Sequence, residues 1–196
     1  MSALPTVHIV DDDGSFARSV ERLLAASGHR VRSFGSGAEL LAAVSGETRG
    51  CVLMDLHMPA LDGLEVQALL ARGGAALPVV FLTGRGDIPS TVRAMRGGAV
   101  DFLEKHAERD VLLAAVRRAL ERDRVQAELR QRFARLSQRE LEVLRHVVRG
   151  RMNKQIAADL GIHERTVKLH RAAVSAKVGV RSAAELTALA REAGMG

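Results

Sequence analysis

The sequence predicts an α/β domain on a doubly wound parallel sheet of five strands, followed by a smaller all-α domain of four helices. Three observations lead there. Short apolar runs alternate with helical stretches up to about residue 105, and helical periodicity alone follows. No Gly or Pro falls between Gly98 and Gly150, so a helix rather than a loose tether joins the two parts. Charge is split unevenly: residues 1–105 hold 10 Lys/Arg against 12 Asp/Glu, residues 106–130 hold 6 against 5, and residues 131–196 hold 13 against 6. The whole-chain charge of +6 therefore sits in the last third, which points to a polyanionic partner for that part.

Strands are expected at about 7–10, 30–34, 50–54, 79–82 and 100–103, with helices at about 15–27, 37–45, 62–72, 88–97 and from 108 onward. Asp11 and Asp12 close the first run, Asp55 the third and Thr83 the fourth, and Lys105 follows the fifth. In an open parallel sheet these ends meet at one edge, where ligands bind. Carboxylates gathered there repel one another unless a hard cation with oxygen ligands lies between them, and Mg²⁺ suits such a site. Pro59 and Asp62-Gly63 supply turn chemistry after Asp55, and Asp87 is placed to cap the helix that carries Pro89. Leu113, Val116, Leu120 and Ala127, with Val125, Leu129 and Phe133, recur at helical spacing in the connector, which could thus transmit a change of orientation.

The 196 residues contain no apolar run near the roughly 18 needed to span a bilayer, and Asp11 interrupts the N-terminus before a signal-like segment. A cytoplasmic protein with no membrane partner is expected. The single Cys51 lies in a buried run and reads as a small core residue.

Over residues 5–121 these features resemble the receiver domain of two-component response regulators, which has a flavodoxin-like fold. The resemblance rests on Val10-Asp11-Asp12, Asp55, Pro59-x-x-Asp62-Gly63, Thr83-Gly84, and Phe102 with Lys105, in that order. It implies that Asp55 is the phosphoacceptor and that a sensor histidine kinase is the partner. It further implies that Mg²⁺ is held by Asp12, Asp55 and the backbone carbonyl of His57, with Asp11 acting through water. Lys105 would pair with Asp55 and then with a phosphoryl oxygen, Thr83 would donate to another oxygen, Gly84 would leave room, and Phe102 would turn inward. The surface near residues 88–105 would change with phosphorylation. Arg85 reads as a surface residue within reach of a bound phosphoryl group. Many receivers carry Pro after the Lys and this chain has His106, so a trans bond, an altered loop and a possible displacement of Lys105 are expected.

In the last part, helices are expected at about 138–148, 153–160, 164–178 and 182–192, the first opened by a capping box of Ser137 and Glu140. Residues 153–168 read as two short helices around Gly161, a helix-turn-helix. Leu-Ser-x-Arg-Glu, Asn-Lys-x-Ile-Ala, Arg-Thr-Val-Lys and Ala-Glu-Leu in order resemble the LuxR/NarL-type DNA-binding domain, and the whole chain is similar to FixJ-type response regulators. At about 100° per residue Val167, Val174 and Val178 face inward, while Lys168, Leu169, Ala172 and Ala176 face away. Leu169 suits a thymine methyl and Lys168 a base or phosphate. His170 and Arg171 flank that face, and Asn153, Lys154 and Thr166 lie near helix N-termini, where phosphate contacts are favoured. His163 stands where a stronger N-cap is usual, a loss of up to about 1 kcal/mol.

The expected domains are a receiver at 1–121, a helical linker at 122–135 and a DNA-binding domain at 136–196. The expected function is a DNA-binding transcription regulator, not an enzyme, that dimerises when phosphorylated, with RNA polymerase a further candidate partner. By family analogy the dimer face is Val92, Met95, Arg96, Val100, Asp101 and Phe102. Two other readings are weighed. An aspartyl-phosphate hydrolase of the haloacid dehalogenase type needs an acid two residues beyond the nucleophile, which Asp55-Leu56-His57 lacks. A regulator whose receiver is a phosphorylation-independent dimerisation module would follow if His106 disabled Lys105.

Overall fold

A computed structural model describes residues 4–73, 75, 77–84 and 88–193. Asp87, the expected cap, and Arg85, the expected surface residue, lie outside the described residues. The chain divides into two compact units, Met1–Arg124 and Val125–Gly196.

The first unit alternates β1 (Thr6–Val10), α1 (Gly14–Ala26), β2 (Arg30–Phe34), α2 (Gly37–Ala43), β3 (Gly50–Asp55), α3 (Gly63–Arg72), β4 (Val79–Thr83), α4 (Ile88–Arg96) and β5 (Asp101–Glu104), and then enters α5 (Arg109–Phe133). All strand pairs are parallel, in the order β2-β1-β3-β4-β5. Side chains alternate across a strand, so each face has its own core. Val10, Val52, Met54 and Phe81 pack with Leu40, Val66, Leu70 and Ala94 of α2, α3 and α4. Val7, Ile9, Leu53, Val80 and Leu82 pack with Val20 and Leu24 of α1 and Leu112 and Val116 of α5. The central strands β3 and β4 are buried along their whole length, which is why they read as unbroken apolar runs. Cys51 is a free, fully buried thiol in the second of these cores, pushed up to about 12 by burial.

Close approach explains two glycines. At Gly50, with φ of 125°, a Cβ would fall 1.8 Å from the Thr6 carbonyl oxygen. At Gly63 it would fall 2.4 Å from that of Asp55, whose strand end the first turn of α3 abuts. The Gly63 N–H donates to the Leu56 carbonyl at 3.0 Å, and Asp62 and Glu65 cap α3 reciprocally.

The second unit contains α6 (Gln138–Val148), α7 (Asn153–Leu160), α8 (Glu164–Val178) and α9 (Ala183–Glu192). Helix α6 packs on α8 and α9, and α7 packs on α8, around Leu144, Ile156, Val167, Val174 and Leu186. The Ser137–Glu140 capping box is present. Glu140 also accepts from Lys177 of α8 at 2.7 Å, and this hydrogen bond, with that from the Ser137 N–H, holds its carboxyl at about 2. Arg139 donates to the Leu160 carbonyl at 2.8 Å, satisfying an orphan group at the end of α7.

Helix α5 runs to Phe133, so residues 122–133 of the expected linker are helical. Asp123 is fully buried and bonded by Arg49 at 2.9 Å in the first unit, whereas Phe133 joins the core of the second. Ala127 and Leu129 are buried; Val125, expected on the same apolar series, is exposed.

Candidate functional site

The parallel order brings the C-terminal ends of β1, β3, β4 and β5 to one edge, and the sheet reverses direction of build between β1 and β3, where ligands settle in such folds. Register is direct: Val10 lies opposite Met54, Asp55 opposite Leu82, and Thr83 opposite Glu104. Oxygens of Asp11, Asp12 and Asp55 consequently lie within 4.8 Å of one another. Asp11 and Asp55 are buried, Asp12 is exposed, and Thr83 is fully buried.

Lys105 ties this edge together. Its backbone N–H donates to the Thr83 carbonyl at 2.8 Å, and its Nζ lies 2.7 Å from Asp11 Oδ2 and 2.7 Å from Asp55 Oδ2. Burial alone would lower its ammonium, but hydrogen bonds to Asp11 and Asp55 outweigh that and hold it above the usual lysine value. Burial raises the Asp11 carboxyl, against the pull of Lys105 and the Asp13 N–H. Beside His106, Lys105 reaches both Asp11 and Asp55. The Lys105–His106 bond is trans, and His106 turns outward, its Nε2 2.7 Å from Glu104.

Two features of this edge were not anticipated. The Lys105 Nζ sits over the Phe16 ring, 4.7 Å from its centroid. Asp13 sets that ring in place: it caps α1 by accepting from the N–H groups of Ser15 and Phe16 at 2.9 and 3.2 Å. Ala60, in the loop after Asp55, has φ of 68°, a left-handed conformation unfavourable for a residue with a Cβ. The nearest sequence signals are the aromatic three residues after Asp13 and the Pro59-Ala60 turn, and neither specifies its partner.

The remaining expected residues fall as follows. The His57 N–H donates to Asp55 Oδ1 at 3.2 Å, and its imidazole is exposed. A Cβ on Gly84 would meet no atom within 4 Å, so the backbone there borders open space. Phe102 is half-buried, its ring centroid 6.1 Å from that of Phe81. Val92, Met95 and Arg96 are exposed on α4, beside an 81% exposed Ile88; Val100 and Asp101 are half-buried, and Asp101 pairs with Arg118 of α5.

In the second unit Val167, Val174 and Val178 point inward as expected. Lys168, Ala172 and Ala176 are exposed, Leu169 is 64% exposed, and Lys154 is exposed near the start of α7. Thr166 and His170 are half-buried. Arg171 differs from a free flank residue: it donates to Asn153 Oδ1 at 2.9 Å, fastening α8 to α7. His163 makes no side-chain cap to α8.

Comparison with known proteins agrees with both halves. Residues 7–117 match the family described as "Response regulator receiver domain", and residues 134–190 match "Bacterial regulatory proteins, luxR family". The chain is 43% identical to Nodulation protein W of Bradyrhizobium diazoefficiens, over 96% of this chain and 86% of that one. It is 42% identical to Transcriptional regulatory protein FixJ of Azorhizobium caulinodans, over 96% and 93%. Among solved structures, response regulator StyR aligns at a TM-score of 0.60 with 41% identity, covering 97% of this chain and all (100%) of that one. Full-length FixJ from B. japonicum aligns at 0.55 with 37% identity, covering 98% of each.

Proposed function

Because the chain belongs to the DNA-binding two-component response regulators, pairing a receiver with a LuxR-type domain as FixJ does, we propose that Asp55 is its phosphoacceptor and that phosphorylation promotes dimerisation and DNA binding. One observation carries this reading: Asp55 is a buried carboxylate at a sheet edge with Asp11, Asp12 and Lys105 gathered on it.

The donor set fits Mg²⁺. Three carboxylates share, among the described residues, the single Lys105 ammonium, leaving a surplus of negative charge that a hard divalent cation would balance. Asp12, Asp55 and the His57 carbonyl would hold it, with Asp11 reaching it through water. When bound it supplies charge neutralisation for an incoming phosphoryl group.

A carboxylate oxygen of Asp55 attacks phosphorus, and an acyl phosphate forms as the donor's bond to phosphorus breaks. The phosphodonor partner is a cognate sensor histidine kinase. Lys105 turns an N–H from Asp55 to a phosphoryl oxygen, and Thr83 donates to another. Open space beside Gly84 admits the group. The displaced Thr83 draws Phe102 inward and alters the face of α4 and β5, where Val92, Met95, Arg96, Val100, Asp101 and Phe102 form the dimer contact. The exposed Ile88, Val92 and Met95 support that assignment.

In the dimer, α8 enters the major groove, with Lys168, Leu169 and Ala172 on its exposed face. His170 and Arg171 flank that face, and Asn153, Lys154 and Thr166 hold phosphates. The reading assigns a receiver at 1–121, a helical linker at 122–135 and a DNA-binding domain at 136–196. It places the protein in the cytoplasm, with double-stranded DNA and RNA polymerase as partners and without turnover of a separate substrate. Among the described residues no helix is long and apolar enough to cross a membrane. A phosphorylation-independent receiver is disfavoured because Lys105 reaches both carboxylates despite His106.

The test compares wild type with Asp55→Asn in DNA binding and sedimentation, with Mg²⁺ and a small phosphodonor or beryllofluoride at fixed salt. Wild type alone should dimerise and gain DNA affinity. Equal behaviour of the two proteins would end the phosphoryl-switch reading.

A further inference from the structure

A cleft of about 480 Å³ in the second unit collects three arginines from separate segments: Arg151 between α6 and α7, Arg171 of α8 and Arg191 of α9. Its other walls are small, including Gly150, Ala183 and Ala184, so a ligand can approach the backbone closely. Among the described residues no carboxylate lines it. Three arginines without a lining carboxylate leave the hollow with a positive charge that favours an anion.

Local structure places donors beside this hollow. Arg171 is anchored through one N–H to Asn153 Oδ1, which fixes its planar fork and leaves further N–H groups to offer. Arg151 and Arg191 are exposed and, among the described residues, in no ion pair. Ala183 and Ala184 bring the first turn of α9 to the wall, and with it the positive end of that helix. The acid in this turn, Glu185, folds back to accept from the Arg181 N–H at 2.9 Å.

Planar guanidinium groups with a helix N-terminus suit a phosphate oxyanion. The cleft also adjoins the helix-turn-helix: Arg151 is two residues before Asn153 and three before Lys154, and Arg171 belongs to α8 itself. We propose that this cleft seats a phosphodiester of the DNA backbone, adding Arg151 and Arg191 to the DNA contacts and extending them to α9. The inference rests on the DNA-binding reading above.

Salt dependence tests it, because each phosphate neutralised contributes about 0.9 to the slope of log affinity against log salt. Full-length wild type, R151Q/R191Q and K168Q are titrated, with Mg²⁺ and beryllofluoride, against a duplex selected from a random pool by wild type and against an unrelated duplex. Both exchanged arginines are exposed, and circular dichroism checks that the fold is retained. The double variant should lose about 1.8 of slope on both duplexes, one phosphate's worth from each of the dimer's two clefts. An unchanged slope overturns the proposal, while loss of binding by K168Q in the same series leaves the DNA reading standing. Failure of wild type to bind any duplex removes both. Saturable NMR shifts at the cleft with inorganic phosphate, together with an unchanged DNA slope, would assign it to a free anion and overturn the DNA seat. Loss of dimerisation in sedimentation with an unchanged slope would make it a protein contact and also overturn it.

Discussion

Replacing Phe16 by Leu isolates what the aromatic ring does for Lys105. Leucine keeps an apolar side chain on α1 but removes the negatively polarised ring face that lies 4.7 Å from Nζ. Such contacts are worth about 0.5–1 kcal/mol where exposed and about 2 kcal/mol where desolvated. The Lys105 side chain is 19% exposed, between these limits, so about 1 kcal/mol is the reasonable figure. That corresponds to roughly five-fold in any step that needs the ammonium seated between Asp11 and Asp55. The ring favours the charged amine, so its removal lowers the Lys105 pKa, opposite to the pull of the two carboxylates that remain. The assay follows Lys105 Cε by NMR across pH and, in parallel, the rate of autophosphorylation from a small phosphodonor. Phe16→Tyr, which keeps a ring face, serves as the comparison. The variant Phe16→Leu should titrate lower and react about five-fold more slowly, with Phe16→Tyr close to wild type. If Leu and Tyr behave alike in both readouts, the ring is packing only and the reasoning fails.

Other expectations follow from single contacts. Gly63→Ala forces a Cβ to 2.4 Å from the Asp55 carbonyl, so urea unfolding should report a loss of about 1–3 kcal/mol and autophosphorylation should fall as the strand end is displaced. Ala60→Gly relieves a left-handed residue at φ 68°; after the entropy glycine adds to the unfolded chain, a net gain of about 0.5–1 kcal/mol in the same assay is expected. Glu140 is held at about 2, below its ordinary 4.5, so its contribution is complete above about 4.5 and is lost as pH falls toward 2. Thermal melts of Glu140→Gln against pH should lack that part of the acid loss, and identical profiles would contradict it. Leu169→Ala should leave stability within about 0.5 kcal/mol, since the side chain is 64% exposed. It should weaken binding to the selected operator by roughly 1 kcal/mol or more without changing the salt slope.

How much of the site could be read in advance depended on whether chemistry was written at an element's end. Asp11, Asp12, Asp55, Thr83 and Lys105 were legible because each interrupts or follows an apolar run, and parallel topology then leaves them one place to meet. The inward valines of α8 were legible for a similar reason, helical periodicity. Phe16 was not: on α1 it is one apolar residue among several, and its partner is distant in sequence. The tie of Arg171 to Asn153, the pairing of Arg118 with Asp101 and the convergence of Arg151, Arg171 and Arg191 join residues from separate elements. No local pattern encodes such meetings. Lys105 was expected to pair with Asp55; that it also bonds Asp11, and keeps both bonds beside His106, depended on the course of the β5–α5 loop.

The sequence by itself determined the order of the elements, the five-stranded parallel sheet, the helix-turn-helix and the type of chemistry at the sheet edge, because periodicity, turn residues and strand-end polarity are local. Tertiary structure alone decided where Lys105 rests, which ring supports it, that Ala60 takes a left-handed turn and that three arginines share one cleft. Those outcomes depend on packing between elements, whose distances and angles arise only when the cores of Val10, Phe81 and Leu70, of Ile9, Leu24 and Val116, and of Leu144, Ile156 and Val174 are filled.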